Sequence, residues 1–180
     1  MTQIQFFVKD VKRMLGKRKI RILHVWLKRS FWGILLYRLE RSFFLVFGKA
    51  YGIIRVPFIP IFNILQSYSN IEIHYKANIK GGLSVLHPSV GCVISWRTNI
   101  GENLTLTGGN IIGIKTEHSK DKFIIGNNCT FGANATVVGP LQLGNDIIIG
   151  ASACVTESCL TDGSILMGVP AKVYNKTNRV

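Results

Sequence analysis

A chain of 180 residues with 47% hydrophobic content has room for one domain with a real core. Its net charge of +13 is uneven: residues 1–70 hold 13 Lys and Arg against 2 Asp and Glu, and residues 71–180 hold 9 against 7. The four cysteines include no C-x-x-C pair, so we expect no metal site and reduced thiols, as in the cytoplasm. The first twenty residues also lack the apolar core and cleavage site of a signal peptide.

Three helical stretches are predicted in the basic N-terminal region. Apolar residues at helical spacing, interleaved with Lys and Arg, predict an amphipathic helix over 6–15. A second helix is predicted over 27–47. A third apolar stretch, over 51–67, is interrupted by Pro57 and Pro60. We therefore expect residues 1–70 to form a helical leader.

The composition of this leader suggests a location for the protein. No window of 18 residues is both uncharged and free of helix breakers, so a spanning helix is not expected. Aromatic residues mixed with Lys and Arg are typical of helices that lie on an anionic bilayer surface. We expect peripheral contact with the inner face of the cytoplasmic membrane. Packing of the helices on each other or on a neighbouring subunit is the alternative. No nucleic-acid motif is present, so no nucleic-acid partner is expected.

A six-residue period organises the rest of the chain. An apolar residue recurs without a miss at Ile125, Phe131, Val137, Leu143, Ile149 and Val155. Four places after each comes a small or apolar residue, namely Cys129, Ala135, Leu141, Ile147, Ala153 and Cys159. This period fits neither an isolated helix nor an alternating strand. It predicts a solenoid whose coils bury their apolar corners by stacking. An ordinary sandwich of short strands is the alternative.

The same period appears earlier in two other registers, at Ile73, Ile79 and Val85 and at Ile94, Ile100, Leu106 and Ile112. Two breaks, at 87–91 and at roughly 114–122, separate the registers. Each break carries a histidine, His87 or His118. Insertions leave a solenoid as loops on one face, and that face often binds a ligand.

The histidine of the first break has a candidate partner. Histidine is the usual general base for removing a hydroxyl proton, and a carboxylate on its far ring nitrogen orients the imidazole. Glu72 lies 15 residues before His87. With about 18 residues per coil, we expect the two side chains to meet on adjacent coils. The pair predicts a catalytic dyad.

These features together resemble a known family. Residues 71–174 resemble the hexapeptide-repeat acyltransferases, in particular the serine acetyltransferase branch and its relatives that O-acetylate bacterial sugars. The resemblance lies in Glu72-Ile73-His74, in Gly82 to His87, in His118 and in the closing Met167-Gly168-Val169-Pro170-Ala171-Lys172. It implies an all-β left-handed parallel β-helix, a solenoid of hexapeptide repeats, after an α-helical N-terminal region. Residues 175–180 form a short tail.

The resemblance also implies roles for particular residues. His87 is the expected base and Glu72 its acid partner. His118 is expected to bind the acceptor or to stabilise developing charge. The family supplies an oxyanion donor from a backbone N–H where the chain leaves the coil for the second loop, which here falls near Gly113 and Ile114.

The expected co-substrate is acetyl-CoA, bound in a groove between two subunits of a homotrimer. The residues that match its binding turns are Gly132, Ala133, Gly150, Ala151, Gly168 and Lys172. Lys172 is expected to meet the nucleotide phosphates as a point charge.

Two departures from the family affect the acceptor. Serine acetyltransferases have an Asp before the first histidine, where this chain has Leu86, and an Arg before the second, where it has Glu117. A leucine cannot pair with an ammonium group, and a glutamate repels a carboxylate. We therefore expect acetyl transfer to a sugar hydroxyl of a capsular or surface polysaccharide. The alternatives are serine O-acetyltransfer in cysteine biosynthesis and a non-catalytic trimeric scaffold.

Overall fold

The computed structural model describes residues 2–16, 19–115 and 123–174. Its N-terminal region contains four α-helices: α1 (Gln3–Leu15), α2 (Arg29–Phe47), α3 (Tyr51–Ile54) and α4 (Ile59–Ser69). Short 3-10 segments at Lys19–Leu27, Gly48–Ala50 and Val56–Phe58 connect them. Thr2 caps α1 through a reciprocal capping box with Gln5.

The predicted helices are present, with their interruptions where the prolines lie. Pro57 and Pro60 occupy the first turns of a 3-10 segment and of α4. At these positions the missing proline N–H removes no helical hydrogen bond. The third apolar stretch is therefore a chain of short segments and not one continuous helix.

Fifteen short strands follow within the described residues. They are β1 (Ile71–Ile73), β2 (Asn78–Ile79), β3 (Ser84–Val85), β4 (Cys92–Ile94), β5 (Asn99–Ile100), β6 (Thr105–Leu106), β7 (Asn110–Ile114), β8 (Ile124–Ile125), β9 (Thr130–Phe131), β10 (Thr136–Gly139), β11 (Gln142–Leu143), β12 (Ile148–Ile149), β13 (Cys154–Val155), β14 (Ile165–Met167) and β15 (Lys172–Val173).

The strands form three parallel sheets that wind into a solenoid. Sheet 1 has the order β1-β4-β7-β10-β13, and sheet 2 the order β11-β8-β5-β2. Sheet 3 has the order β15-β14-β12-β9-β6-β3, with only β15 antiparallel. Successive strands along the chain visit sheets 1, 2 and 3 in turn. The predicted left-handed parallel β-helix with a helical N-terminal region is confirmed.

The six-residue period is the core of this solenoid. Every residue of the three apolar registers has at most 5% of its surface exposed. The small residues that follow four places later are also buried, apart from the partly exposed Cys159. Apolar corners of neighbouring coils thus stack on each other along the axis.

The breaks in the period change the length of individual coils. Ile71 pairs with Cys92, 21 residues later, whereas Cys92 pairs with Asn110 after 18. Ile111 pairs with Thr136 after 25. The long first and third coils are those that contain His87 and the 114–122 loop.

The helical region covers the open end of the β-helix. Strands β1, β2 and β3 pair with a neighbouring coil on one side only, which leaves backbone groups without sheet partners. Arg38 donates to the carbonyl oxygens of Ile79 and Lys80, and Arg41 to that of Lys76. The Tyr37 hydroxyl donates to a further carbonyl of this coil, that of Ala77. Several leader cations therefore serve a structural purpose.

Within the described residues, no single helix has the length and apolar character needed to cross a membrane. One bent pair, Arg29–Ile54 with Val56–Ser69 at an angle of 76°, meets that requirement together.

Candidate active site

His87 lies at the edge where sheet 3 passes into sheet 1 in the first coil. Its backbone N–H donates to the carbonyl oxygen of Thr107 at 2.9 Å, which fixes the start of the loop. A 3-10 turn over Pro88–Val90 follows and returns the chain to β4. The imidazole is exposed and lines a cleft of about 550 Å³ between the β-helix and the helical region. An incoming hydroxyl can therefore reach it.

Glu72 is also exposed but lines a different cleft. It lies on β1, and the cleft beside it is bounded by α4 and the 88–91 turn. The two clefts share Ser89, yet Glu72 and His87 form no hydrogen bond or ion pair in the part of the chain that is described. The expectation that they meet on adjacent coils is wrong. Both belong to the first coil, because the 88–91 turn lengthens that coil to 21 residues.

A line of small residues leads away from His87 along the same edge. The strand register of sheet 3 stacks His87 above Gly108, Ala133, Ala151 and Gly168 in successive coils. A Cβ added to Gly108 would come within 2.5 Å of the His87 carbonyl oxygen. Four coil steps of about 4.8 Å give this edge a length of about 19 Å. Most residues predicted to bind acetyl-CoA thus lie on the edge that carries the predicted base.

The turns on this edge are tightly stacked. A Cβ on Gly132 would lie 2.6 Å from the Ala151 backbone nitrogen. The Ala133 carbonyl accepts a hydrogen bond from the Ser152 N–H at 2.7 Å. A Cβ on Gly150 would lie 3.1 Å from the Met167 side chain. Small residues here satisfy the stacking of the coils and also leave the edge free of bulky side chains.

The predicted oxyanion donors lie at the other edge of sheet 1. Gly113 and Ile114 end β7, opposite Val138 and Gly139 of β10. The chain leaves the coil directly after them, as expected from the sequence. In a single chain they are therefore separated from His87 by the width of sheet 1. His118 and Glu117 lie outside the described residues.

The closing motif forms a hairpin at the last coil. Met167 of β14 pairs with Lys172 of β15. The Lys172 ammonium lies 3.4 Å from the Glu157 carboxylate, and both side chains are largely exposed, at 68% and 74%. Such an exposed pair is weak, so the ammonium remains accessible to an anionic ligand.

A third histidine is removed from the chemistry by its surroundings. His74 stacks on Tyr75 with ring centroids 4.5 Å apart, and its Nδ1 accepts from the Lys76 N–H. Burial lowers the pKa of His74 to about 4, with Lys76 and Arg55 nearby as further causes. The ring is neutral at physiological pH.

Sequence reasoning missed the residues that face His87 from the helical region. Arg13, Lys28 and Arg29 line its cleft, although they precede it by at least 58 positions. From the sequence they belonged to a basic surface, and no spacing signal links them to the solenoid. Within the described ranges, no group of three His, Cys, Asp or Glu side chains is placed to hold a metal ion.

Comparison with known proteins gives related sequences, although no family model matches the chain. A serine acetyltransferase of Helicobacter pylori is 36% identical over 109 residues, covering 60% of this chain and 63% of the relative. A serine acetyltransferase of Staphylococcus aureus is 32% identical over 117 residues, covering 64% of this chain and 54% of the relative. The chain therefore spans less than two thirds of the length of these curated relatives.

Solved structures agree on the fold. Neisseria gonorrhoeae serine acetyltransferase superposes with a TM-score of 0.79 at 21% identity, over 99% of this chain and 68% of that one. Brucella abortus serine acetyltransferase in complex with coenzyme A gives 0.74 at 23% identity, over 94% and 66%. The resemblance to hexapeptide-repeat, left-handed β-helix acyltransferases is confirmed. Within that class, the similarity is to the serine acetyltransferase type.

Proposed function

We propose that this protein is an acetyl-CoA-dependent O-acetyltransferase. The observation that carries the proposal is the exposed His87 at the end of an edge of small residues, in a β-helix of the serine acetyltransferase type. Solved serine acetyltransferases bound to coenzyme A support the choice of donor. A trimeric scaffold without activity would need neither the exposed imidazole nor the open edge.

The reaction assigned to His87 is direct transfer. Its imidazole takes the proton from the acceptor hydroxyl while the hydroxyl oxygen attacks the thioester carbonyl carbon. The carbon–sulfur bond then breaks, the acetyl group stays on the acceptor oxygen, and the imidazolium returns its proton to the departing thiolate. A backbone N–H near Gly113 or Ile114 would stabilise the oxyanion. We assign Glu72 an orienting role that requires its side chain to turn toward His87.

A homotrimer would assemble these parts. In one chain, His87 and the Gly113–Ile114 segment lie at opposite edges of sheet 1. A neighbouring β-helix can bring its far edge against the His87 edge, so that one subunit supplies the base and the other the oxyanion donors and the His118 loop. The acetyl-CoA groove is then the space between two subunits.

L-Serine is the acceptor that the relatives favour, because both sequence relatives above carry the name serine acetyltransferase. The comparisons do not support our sequence-based preference for a sugar hydroxyl. One observation keeps a second candidate, an acceptor without an ammonium group, such as a sugar. Leu86, next to the base, is 54% exposed and offers no charge to a serine ammonium group.

An acceptor panel tests the proposal. Full-length protein is incubated with acetyl-CoA and either L-serine or surface sugars, and acetylated products are identified by mass spectrometry. O-Acetylserine would establish the serine reaction, and an acetylated sugar the second candidate. Absence of any acetylated acceptor, with folded protein and intact acetyl-CoA, would overturn the function. The matched control is His87→Ala, which retains the fold and lacks the base.

We also propose that the helical region rests on an anionic membrane at the inner face of the cytoplasmic membrane. No acidic residue occurs between Glu40 and Glu72, and Lys49 is exposed in that stretch. Large apolar side chains are exposed along the same stretch, namely Phe43, Leu45, Val46, Phe47, Ile53, Ile54, Val56, Phe58, Ile61, Ile64 and Tyr68. An apolar surface of this extent with cationic flanks fits a lipid interface.

Vesicle co-sedimentation tests this location. Because several leader cations bind the β-helix, salt should remove only part of the binding to vesicles containing phosphatidylserine. Ile53→Glu with Ile64→Glu should abolish it, and Ile4→Glu on α1, equally exposed, is the control. Unchanged binding of the double variant would contradict the proposal. So would a drop in oligomer mass with no vesicle binding by the wild type, which would assign the face to another subunit.

A further inference from the structure

The cleft beside His87 is lined by cations. Arg13 of α1 and Lys28 and Arg29 at the start of α2 face the loop that carries His87 and Leu86. None of the described residues lining this cleft is an Asp or Glu. Its volume of about 550 Å³ has room for a small polar molecule. The helical region thus contributes three positive charges to the neighbourhood of the predicted base.

These charges have no carboxylate partners within the described part of the chain. Arg13 donates to the carbonyl oxygen of Gly82 and, at 2.8 Å, to the Thr105 hydroxyl. The Lys28 ammonium donates to a backbone carbonyl of α1 at 2.7 Å. The Arg29 guanidinium lies over the Tyr68 ring, 5.8 Å from its centroid. Neutral partners hold the three cations in place and leave their charge available.

The start of α2 adds a neutral donor to the same cleft. Ser30 is only 5% exposed and lines the cleft, yet its hydroxyl has no hydrogen-bond partner among the described residues. The N-cap residue, Lys28, gives α2 no side-chain cap, and the first turn holds no acidic residue. The N-terminus of a 19-residue helix attracts an anion through its unpaired N–H groups. Ser30 and the backbone therefore converge with the cations.

We propose that this cleft is an oxyanion subsite that holds a carboxylate or phosphate group of the acceptor while His87 acts on its hydroxyl. The inference rests on the proposed acetyl transfer. The subsite is assigned to the acceptor and not to acetyl-CoA because of its position. The predicted donor turns extend from His87 toward the last coil, whereas Lys28 and Arg29 lie on the helical side of the first coil.

The subsite would shape the choice of acceptor. The carboxylate of L-serine or the phosphate of a phosphorylated sugar would gain charge-assisted hydrogen bonds there. A neutral sugar would gain none. Because the described cleft contains no carboxylate, an ammonium group on the acceptor also gains nothing from it.

Phosphate binding by the full-length protein tests the subsite without turnover. Inorganic phosphate is titrated at constant ionic strength, balanced with chloride, while the melting temperature is followed. The wild type and the control Lys80→Gln, an exposed cation outside the cleft, should show saturable stabilisation. Lys28→Gln with Arg29→Gln should weaken binding at least about tenfold. Equal phosphate binding by the double variant and the wild type would overturn the proposal.

Kinetics separate this inference from the proposed function. For an anionic acceptor, the double variant should raise KM at least about tenfold with a smaller change in kcat, and Lys80→Gln should change neither. Acetyl transfer with unchanged KM would refute the subsite and leave the function intact. Phosphate binding that the double variant loses, without transfer to any acceptor, would refute the function and leave the subsite intact.

Discussion

Replacing Asp10 by Asn should destabilise the whole fold, because Asp10 joins the helical region to the first coil. Its side chain is fully buried, and Oδ1 accepts from the backbone N–H groups of Gly82 and Leu83 at 2.7 and 2.8 Å. Oδ2 accepts from the Arg38 Nε at 2.9 Å. Burial raises the pKa of Asp10, and Arg38 and the two amides oppose that rise. The substitution leaves a buried guanidinium without its counter-charge.

Removing one partner of such a pair costs about 3–5 kcal/mol. For a chain of this size, each kcal/mol lowers the melting temperature by roughly 2–4 °C, so we expect a decrease of roughly 6–20 °C. Thermal and urea unfolding, followed by circular dichroism, measure this. Glu102→Gln is the control, because the Lys9–Glu102 pair is about one third exposed and should contribute at most about 1 kcal/mol.

A double variant tests whether the charge is the cause. Asp10→Asn with Arg38→Gln removes both charges, and its free energy of unfolding should exceed the additive expectation by at least about 1 kcal/mol. A loss below about 1 kcal/mol in Asp10→Asn alone would refute the reasoning. The two helices and the first coil would then be held together by apolar packing.

Three further predictions concern histidines and the acid partner. His87→Ala should lower turnover at least about 10²-fold while the oligomer stays folded, and near-normal rates would remove His87 from the mechanism. Glu72→Gln should lower turnover less than His87→Ala, because it disturbs orientation only, and the reverse order would exchange their roles. Because the pKa of His74 is lowered to about 4, protonation favours the unfolded chain as pH falls below its ordinary value near 6.5. Urea unfolding at pH 7 and pH 4.5 should therefore show a loss of about 1–2 kcal/mol, reduced for partial exposure, that is absent in His74→Gln.

The solenoid could be predicted from the sequence because its physics repeats. Each coil buries one apolar residue per face, so a fixed period of six appears in the chain and every member of the three registers is buried. The position of the small residues along the His87 edge follows from the same register. Turn length was harder to predict. The 88–91 turn adds residues to the first coil and separates Glu72 from His87.

The docking of the helices could not be predicted from the sequence. Asp10, Arg38 and Gly82 meet across gaps of 28 and 72 residues, and no local pattern marks such contacts. Basic residues of the leader were therefore interpreted together as a membrane-facing surface. In the structure Arg38 and Arg41 bind the open edge of the first coil, while Lys28 and Arg29 face His87. One composition thus serves separate purposes.

The central claim is that His87 catalyses acetyl transfer from acetyl-CoA to an acceptor hydroxyl. The most direct measurement is the initial rate of thiol release from acetyl-CoA, with L-serine or a sugar acceptor at increasing concentration. The account predicts a saturable, acceptor-dependent rate for the wild type and loss of that rate in folded His87→Ala. A rate that no acceptor raises above background hydrolysis, or one that His87→Ala retains, would contradict it.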